Sequence, residues 1–198
     1  RDESGASGMW PLSYTIGKKY NLRQTAMFDE RRDPEKSTEA ACLYLRDLYV
    51  IYGDWLKAIT AFRIGPIRLN QVIHALDGDL DFAHIYEALE PEERLPIIQF
   101  YAAVAVLHHA QQYGIKPIAI ERSDAVGVTS VNMVVPFAVL NDKIGVGLSD
   151  LRNLNPEFRA DAVPFLGEPC AFNLPKRYAD LYNQKRDSLS VWVNSKPL

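Results

Sequence analysis

The sequence predicts a mainly helical chain that closes on a small β-α-α-β module. Three observations carry this. Apolar residues recur at helical spacing between residues 34 and 113, the stretches between them hold capping residues, and no strand-like run precedes residue 117. After Pro117 the texture changes to β-branched alternation broken by two short helical stretches.

Taken in order, Asp33-Pro34 opens a helix with an N-cap acceptor followed by Pro at the first helical position. Ala41, Leu45, Leu48, Tyr49 and Tyr52 then share one helix face, and Gly53-Asp54 ends it. Trp55 to Phe62 reads as a second helix, stopped by Gly65-Pro66. Ile67 to Leu76 reads as a third, with Leu69, Val72, Ile73 and Leu76 on one side, and Asp77-Gly78-Asp79 marks a turn. Phe82 to Leu89 is a short helix, and Pro96 to Tyr113 the longest apolar one, closed by Gly114. Val126 to Met133 reads as a strand, and Pro136 to Leu140 starts a helix. Ser149 can cap another over Asp150 to Leu154, stopped by Asn155-Pro156. Cys170 to Leu174 reads as a closing strand, and the tail from Lys176 is polar. This order of strand, helix, helix and strand makes a small α+β module.

Composition narrows the function classes. The chain has 198 residues, 47% hydrophobic and 24% charged, with a formal net charge of −3. Basic and acidic residues are interspersed, so no basic stripe points to nucleic acid. No apolar run reaches the roughly 20 residues of a membrane span. Cys42 and Cys170 allow at most one intrachain disulfide. His74, His84, His108 and His109 form no metal-ligand spacing, and the glycines form no nucleotide-binding motif, so neither metal nor cofactor is expected. Glu92-Glu93 and Asp77, Asp79 and Asp81 are carboxylate clusters. Such clusters can do acid-base work on sugars but commonly serve as surface charge or helix caps.

One ordered set of motifs is more specific. Gly5-Ala6-Ser7-Gly8-Met9-Trp10 is followed by Thr15 to Leu22, by Asp29-Glu30-Arg31-Arg32-Asp33-Pro34 with Ser37 to Ala41, by Tyr52-Gly53-Asp54-Trp55, and by Ala61-Phe62-Arg63-Ile64-Gly65-Pro66. Together these resemble the lytic transglycosylases with the goose-lysozyme-like SLT domain, most closely the membrane-bound D subgroup in its Bacteroidota versions. The likeness covers residues 4–118. Residues 126–175 resemble a degenerate LysM module, chiefly through Leu151 to Pro156 and Leu174-Pro175. The resemblance thus implies three segments: a lysozyme-like helical domain over 1–120, a LysM-like module over 121–178, and a tail over 179–198.

The resemblance also implies a reaction. These enzymes cleave the MurNAc–GlcNAc bond of peptidoglycan without water and leave a 1,6-anhydro end. One glutamic acid protonates the leaving oxygen and then acts as base toward the sugar's own 6-hydroxyl, which requires a raised pKa. In the family that Glu stands in a Glu-Ser pair about a dozen residues before the Gly motif. Here Glu3-Ser4 lies directly before Gly5, so Glu3 is a weak candidate. The family's catalytic position then falls upstream of Arg1, and the lysozyme-like domain is expected to lack its first helix.

Other positions depart from the pattern. Pro11 replaces a glutamine and has no donor. Phe62-Arg63 replaces a Tyr-Asn pair, losing a hydroxyl and placing a permanent charge where a neutral amide stood. Pro96 stands for a tyrosine. The substrate groove is expected along Met9, Trp10, Phe62, Arg63 and Glu92, with no intact catalytic residue. Three functions follow as expectations. The first is a catalytically degenerate protein that binds or scaffolds peptidoglycan glycan strands in the cell envelope. The second is an active transglycosylase whose Glu lies upstream. The third is a subunit of an envelope protein assembly. The expected location is periplasmic or envelope-associated, with lipoprotein anchoring through a segment outside this sequence.

Overall fold

The computed structural model describes residues 5–116, 118 and 126–188. The chain is mainly helical with small two-stranded sheets, as a lysozyme-like domain with an α+β module requires. Backbone contacts group it into two compact units, one of residues 1–40 with 121–198 and the other of residues 41–120.

In the first unit, a short helix α1 (Tyr14–Lys19) is capped by the Ser13 hydroxyl, which accepts from the Ile16 amide at 3.2 Å. This helix has no apolar periodicity, so pattern reading passes over it. A 3₁₀ turn at Glu30–Arg32 leads to the start of α2 (Pro34–Tyr52). The Asp33 carboxylate accepts from the amides of Glu35 at 2.9 Å and Lys36 at 3.0 Å, which is the expected cap.

The β-α-α-β order is present. β1 (Val126–Val131) pairs antiparallel with β4 (Cys170–Pro175), with Thr129 opposite Phe172. Between them lie β2 (Val135–Pro136), α7 (Phe137–Ile144), α8 (Leu148–Leu154) and β3 (Ala162–Val163), with β2 and β3 paired. Gly147 rather than Ser149 stands at the N-cap of α8. The polar tail forms α9 (Lys176–Lys185), which packs on β1 and β4. Only Ala179 and Tyr182 of α9 are buried, enough to dock an otherwise polar helix. The core joins Val131, Val135, Phe137, Leu140, Phe172 and Tyr182, among others, to Phe28 from the N-terminal segment.

Phe28 reaches that core because the chain is stitched there. Phe28 bridges Phe158, the Asp29 amide donates to the Glu157 carbonyl at 2.8 Å, and the Arg159 amide donates to the Met27 carbonyl at 2.9 Å. The Phe28 and Phe158 rings lie 5.8 Å apart.

The second unit holds the rest of α2 with α3 (Trp55–Ile64), α4 (Pro66–Ala75), α5 (Phe82–Ala88) and α6 (Pro91–His108). Helix α2 buries Ala41, Tyr44 and Leu48, whereas Leu45 is half-buried and Tyr49 exposed, so its buried face is narrower than the spacing suggests. Tyr49 instead stacks on Trp55 at 4.6 Å. Gly53, at φ +67°, ends α2, and the Asp54 side chain caps α3 through the Lys57 amide at 3.0 Å. Helix α6 begins five residues earlier than expected. Glu90 and Glu93 form a capping box around Pro91, and Pro96 lies inside the helix. The helix proper ends at His108, and a turn carries the chain to Gly114 at φ +67°.

Candidate functional site

The Gly5–Trp10 loop is the first part of the candidate site, and a buried ion pair holds it. Asp29 and Arg31 are 3% and 5% exposed. Arg31 Nε donates to Asp29 Oδ1 at 2.9 Å and Nη2 to Oδ2 at 2.8 Å, a bidentate pair. The remaining terminal nitrogen, Nη1, donates to the carbonyls of Gly5 and Leu12, each at 3.0 Å. One guanidinium therefore ties both ends of the loop. Burial alone would raise the Asp29 carboxyl, but the hydrogen bonds and charge of Arg31 outweigh it and hold the group below its ordinary range.

Two glycines in the motifs follow from this packing. Gly8 has φ +87°, and a Cβ on it would lie 1.7 Å from the Arg31 carbonyl oxygen. Gly17 in α1 faces Gln24 Nε2 at 2.6 Å and Arg31 Cδ at 2.9 Å from where a Cβ would stand. Both give room to Arg31 and its backbone. The loop's outer residues differ in role. Met9 is 65% exposed at its tip. Trp10 is half-buried, and its indole N–H donates to Thr38 Oγ1 at 2.7 Å. Pro11 is exposed.

The second unit carries the other expected groove residues. Phe62 and Arg63 sit in the last turn of α3. Phe62 is half-buried with its ring 5.5 Å from that of Tyr44, and Arg63 is exposed. Glu92 is exposed in the first turn of α6. Its neighbour Glu93 is structural. It accepts from Arg68 Nε at 2.7 Å and Nη2 at 3.0 Å, and from the Glu90 amide at 2.9 Å. Tyr52 of the Tyr-Gly-Asp-Trp motif meets Asn70 Oδ1 at 2.9 Å. Glu3 lies outside the described residues.

The remaining chemical candidates resolve into structure. Asp79 Oδ2 meets His84 Nδ1 at 2.6 Å, and Asp81 caps α5 through the Ala83 amide at 2.8 Å. Among the described residues no group of three or more His, Cys, Asp or Glu side chains is placed to hold a metal. Cys42 is exposed and Cys170 buried, both as free thiols. Burial pushes the Cys170 thiol up to about 11.

Two residues in the first unit have roles that their spacing in sequence does not show. Asn155 is 1% exposed. Its amide donates to the carbonyls of Leu151 at 2.8 Å and Asn173 at 3.0 Å, and its oxygen accepts from the Asn173 amide at 2.6 Å. It locks the end of α8 to β4. Glu157, two residues on, is 8% exposed and lines a cavity of about 240 Å³. No spacing rule finds it, because the cavity's walls come from residues 23–36 and 157–173.

Comparison with known proteins gives these motifs a family. The transglycosylase SLT domain matches residues 1–83. Membrane-bound lytic murein transglycosylase D of Escherichia coli K12 is 28% identical over 191 residues, which is 94% of this chain and 41% of the relative. The corresponding protein of E. coli O6:H1 (strain CFT073) matches to the same extent. A protein of Alteromonas sp. (strain M-1) named for tributyltin chloride resistance is 35% identical over 69 residues, 34% of this chain and 33% of that relative. The chain thus spans about two fifths of the length of the E. coli relatives it matches. The Gly loop, the Asp29-to-Pro34 segment and the Tyr52-to-Trp55 turn all lie inside the matched range, so residues 1–83 carry the likeness to the transglycosylase SLT domain.

Proposed function

We propose that this chain handles murein in the cell envelope, binding glycan strands along the SLT domain with little or no cleavage. The observation that carries the reading is a split between scaffold and groove. The Asp29–Arg31 pair, Gly8 and the Asp54 cap keep the motif loops in place. The positions expected to hold sugar offer few neutral hydrogen-bonding groups. Pro11 has no N–H, Phe62 turns its ring to Tyr44, Arg63 is an exposed cation, and Pro96 is inside α6. Exposed Met9 and half-buried Trp10 suit stacking on sugar faces. In this reading residues 1–120 act as the glycan-binding domain. Residues 121–178 form a LysM-like module that adds a second sugar contact or a spacer. Periplasmic location with a lipoprotein anchor fits such a substrate.

A second reading is favoured by the 28% identity that extends over 94% of the chain to a lytic murein transglycosylase. In it the full protein cleaves the MurNAc–GlcNAc bond with a glutamic acid from outside residues 1–198. Co-sedimentation with purified sacculi, followed by muropeptide analysis of the supernatant, separates the two. The first reading expects co-sedimentation without 1,6-anhydro-muropeptides. Their release by the full protein overturns the claim of weak cleavage. Failure to co-sediment, with recovery of a stable protein partner instead, overturns the glycan reading and leaves an envelope assembly subunit.

A further inference from the structure

The Glu157 cavity lies in the first unit, apart from the Gly5–Trp10 loop, and its charges do not balance internally. Lys36 Nζ pairs with Glu30 Oε1 at 2.6 Å, and Arg23 Nη2 with Glu168 Oε1 at 2.7 Å. Glu30 Oε2 also accepts from the Arg23 amide at 2.6 Å, and Asp33 is engaged as the cap of α2. Each cation on the wall therefore has a carboxylate, and each of these carboxylates has a donor. Glu157 is the exception, since its carboxyl group accepts only from its own backbone amide. Its backbone carbonyl accepts from Asp29, but among the described residues no other residue donates to its carboxyl group. It is more than nine-tenths buried and lines the cavity. Burial pushes it up to about 6 against the opposing hydrogen bond from its own amide, with Asp33 and Glu30 adding to the rise and Lys36 opposing it.

We propose that this cavity binds a primary alkylammonium group, with Glu157 as its counter-ion. The lining holds four carboxylates against two cations, and Glu157 is the one with neither an ion pair nor a donor from another residue, so the site calls for positive charge beside it. An ammonium brings three donors, which the lone carboxylate and nearby carbonyls can accept. Phe28 and Leu166 on the wall supply an apolar surface for the alkyl stem. A divalent ion needs several converging oxygen ligands, and no such group is found among the described residues. The ammonium is carried either by a free diamine or by the side chain of a lysine-like residue in a peptide. This site stands independently of any glycan bound elsewhere on the chain.

The test is calorimetric titration of the folded chain near neutral pH in low salt, with cadaverine in one arm and Nα-acetyl-lysine methylamide in the other. Binding of either supports the site. Cadaverine alone identifies a free diamine, and the lysine amide alone a peptide. Glu157→Gln keeps the shape and removes the charge, and is expected to weaken binding at least about ten-fold. A second readout needs no variant. The Glu157 side-chain carboxyl carbon, followed by NMR across the pH range, is expected to titrate lower in the presence of the amine. No heat and no change in that titration up to ~10 mM amine overturns the proposal. So does equal binding by Glu157→Gln, and so does calcium binding there that the amines fail to displace.

Discussion

Replacing Gly8 with alanine tests the packing beneath the motif loop. The new Cβ would meet the Arg31 carbonyl oxygen at 1.7 Å, its carbon at 2.6 Å and the Arg32 nitrogen at 3.3 Å. These are backbone atoms, next to a buried bidentate ion pair, so they cannot swing aside as a flexible side chain would. Two costs add. An L-residue at φ +87° pays about 1–2 kcal/mol, and the overlap adds about 1–3 kcal/mol for overpacking. Gly5 provides the internal control. It has φ +70° in the same loop, with nothing within 4 Å of its Cβ position. Gly5→Ala should cost only the backbone term, about 1–2 kcal/mol. Urea denaturation followed by far-UV circular dichroism gives both values, and Trp10 fluorescence reports on the loop itself. Gly8→Ala is expected to be the less stable of the two by about 1–3 kcal/mol. Equal midpoints and slopes for the two variants would refute the claim that Arg31's backbone occupies the space beside Gly8.

Three further outcomes follow from the same structure. Asp29→Asn leaves Arg31 charged and buried, so it should cost about 3–5 kcal/mol in chemical denaturation. Because the folded-state pKa of Asp29 is lowered, the wild type holds that stability above the ordinary carboxylate value of 3.8 and loses it as pH falls through the lower folded value, a loss absent in the variant. Asn155→Ala removes three hydrogen bonds and strands the Asn173 amide, with an expected loss of about 2–4 kcal/mol in the same assay. Glu157 has the opposite sign. Its pKa rises from 4.5 to about 6, so the native state binds the extra proton and stability falls as pH climbs through that window. That rise corresponds to about 2 kcal/mol, so Glu157→Gln should be more stable than wild type by up to that amount at pH 7 in the absence of ligand, and near-equal at pH 4.

Local signals made most of the helices legible. Asp33-Pro34, Gly53-Asp54 and Gly65-Pro66 place the ends of α2, α3 and α4 within two residues, because capping depends on neighbours in sequence. The start of α6 was harder. Pro91 and Pro96 both suit a first helical turn, and the choice fell to Glu90 and Glu93, whose reciprocal bonds define the earlier start. Helices α1 and α9 carry too few apolar residues to register. The family motif pointed to Asp29 and Arg31 together, but only the folded chain brings Gly5 and Leu12 to the same guanidinium. Glu157 lay beyond any spacing rule, since its neighbours Glu30, Asp33 and Lys36 stand more than a hundred residues away.

That distance has a consequence for how the chain acquires its structure. Residues 25–29 pair with residues 157–159, so the first unit closes around some 130 intervening positions that include all of the second. The equilibrium cost of so wide a closure is modest, about 0.6 kcal/mol per doubling of loop length. The kinetic cost is larger, because nonlocal pairings form late. During synthesis residues 41–120 emerge with their partners already in hand, whereas Phe28 must wait for Phe158. The segment bearing the Gly loop is therefore made well before its partners and is among the last of these residues to settle. A stop or cut between the two units would leave residues 1–40 without the strands and helices that bury Phe28.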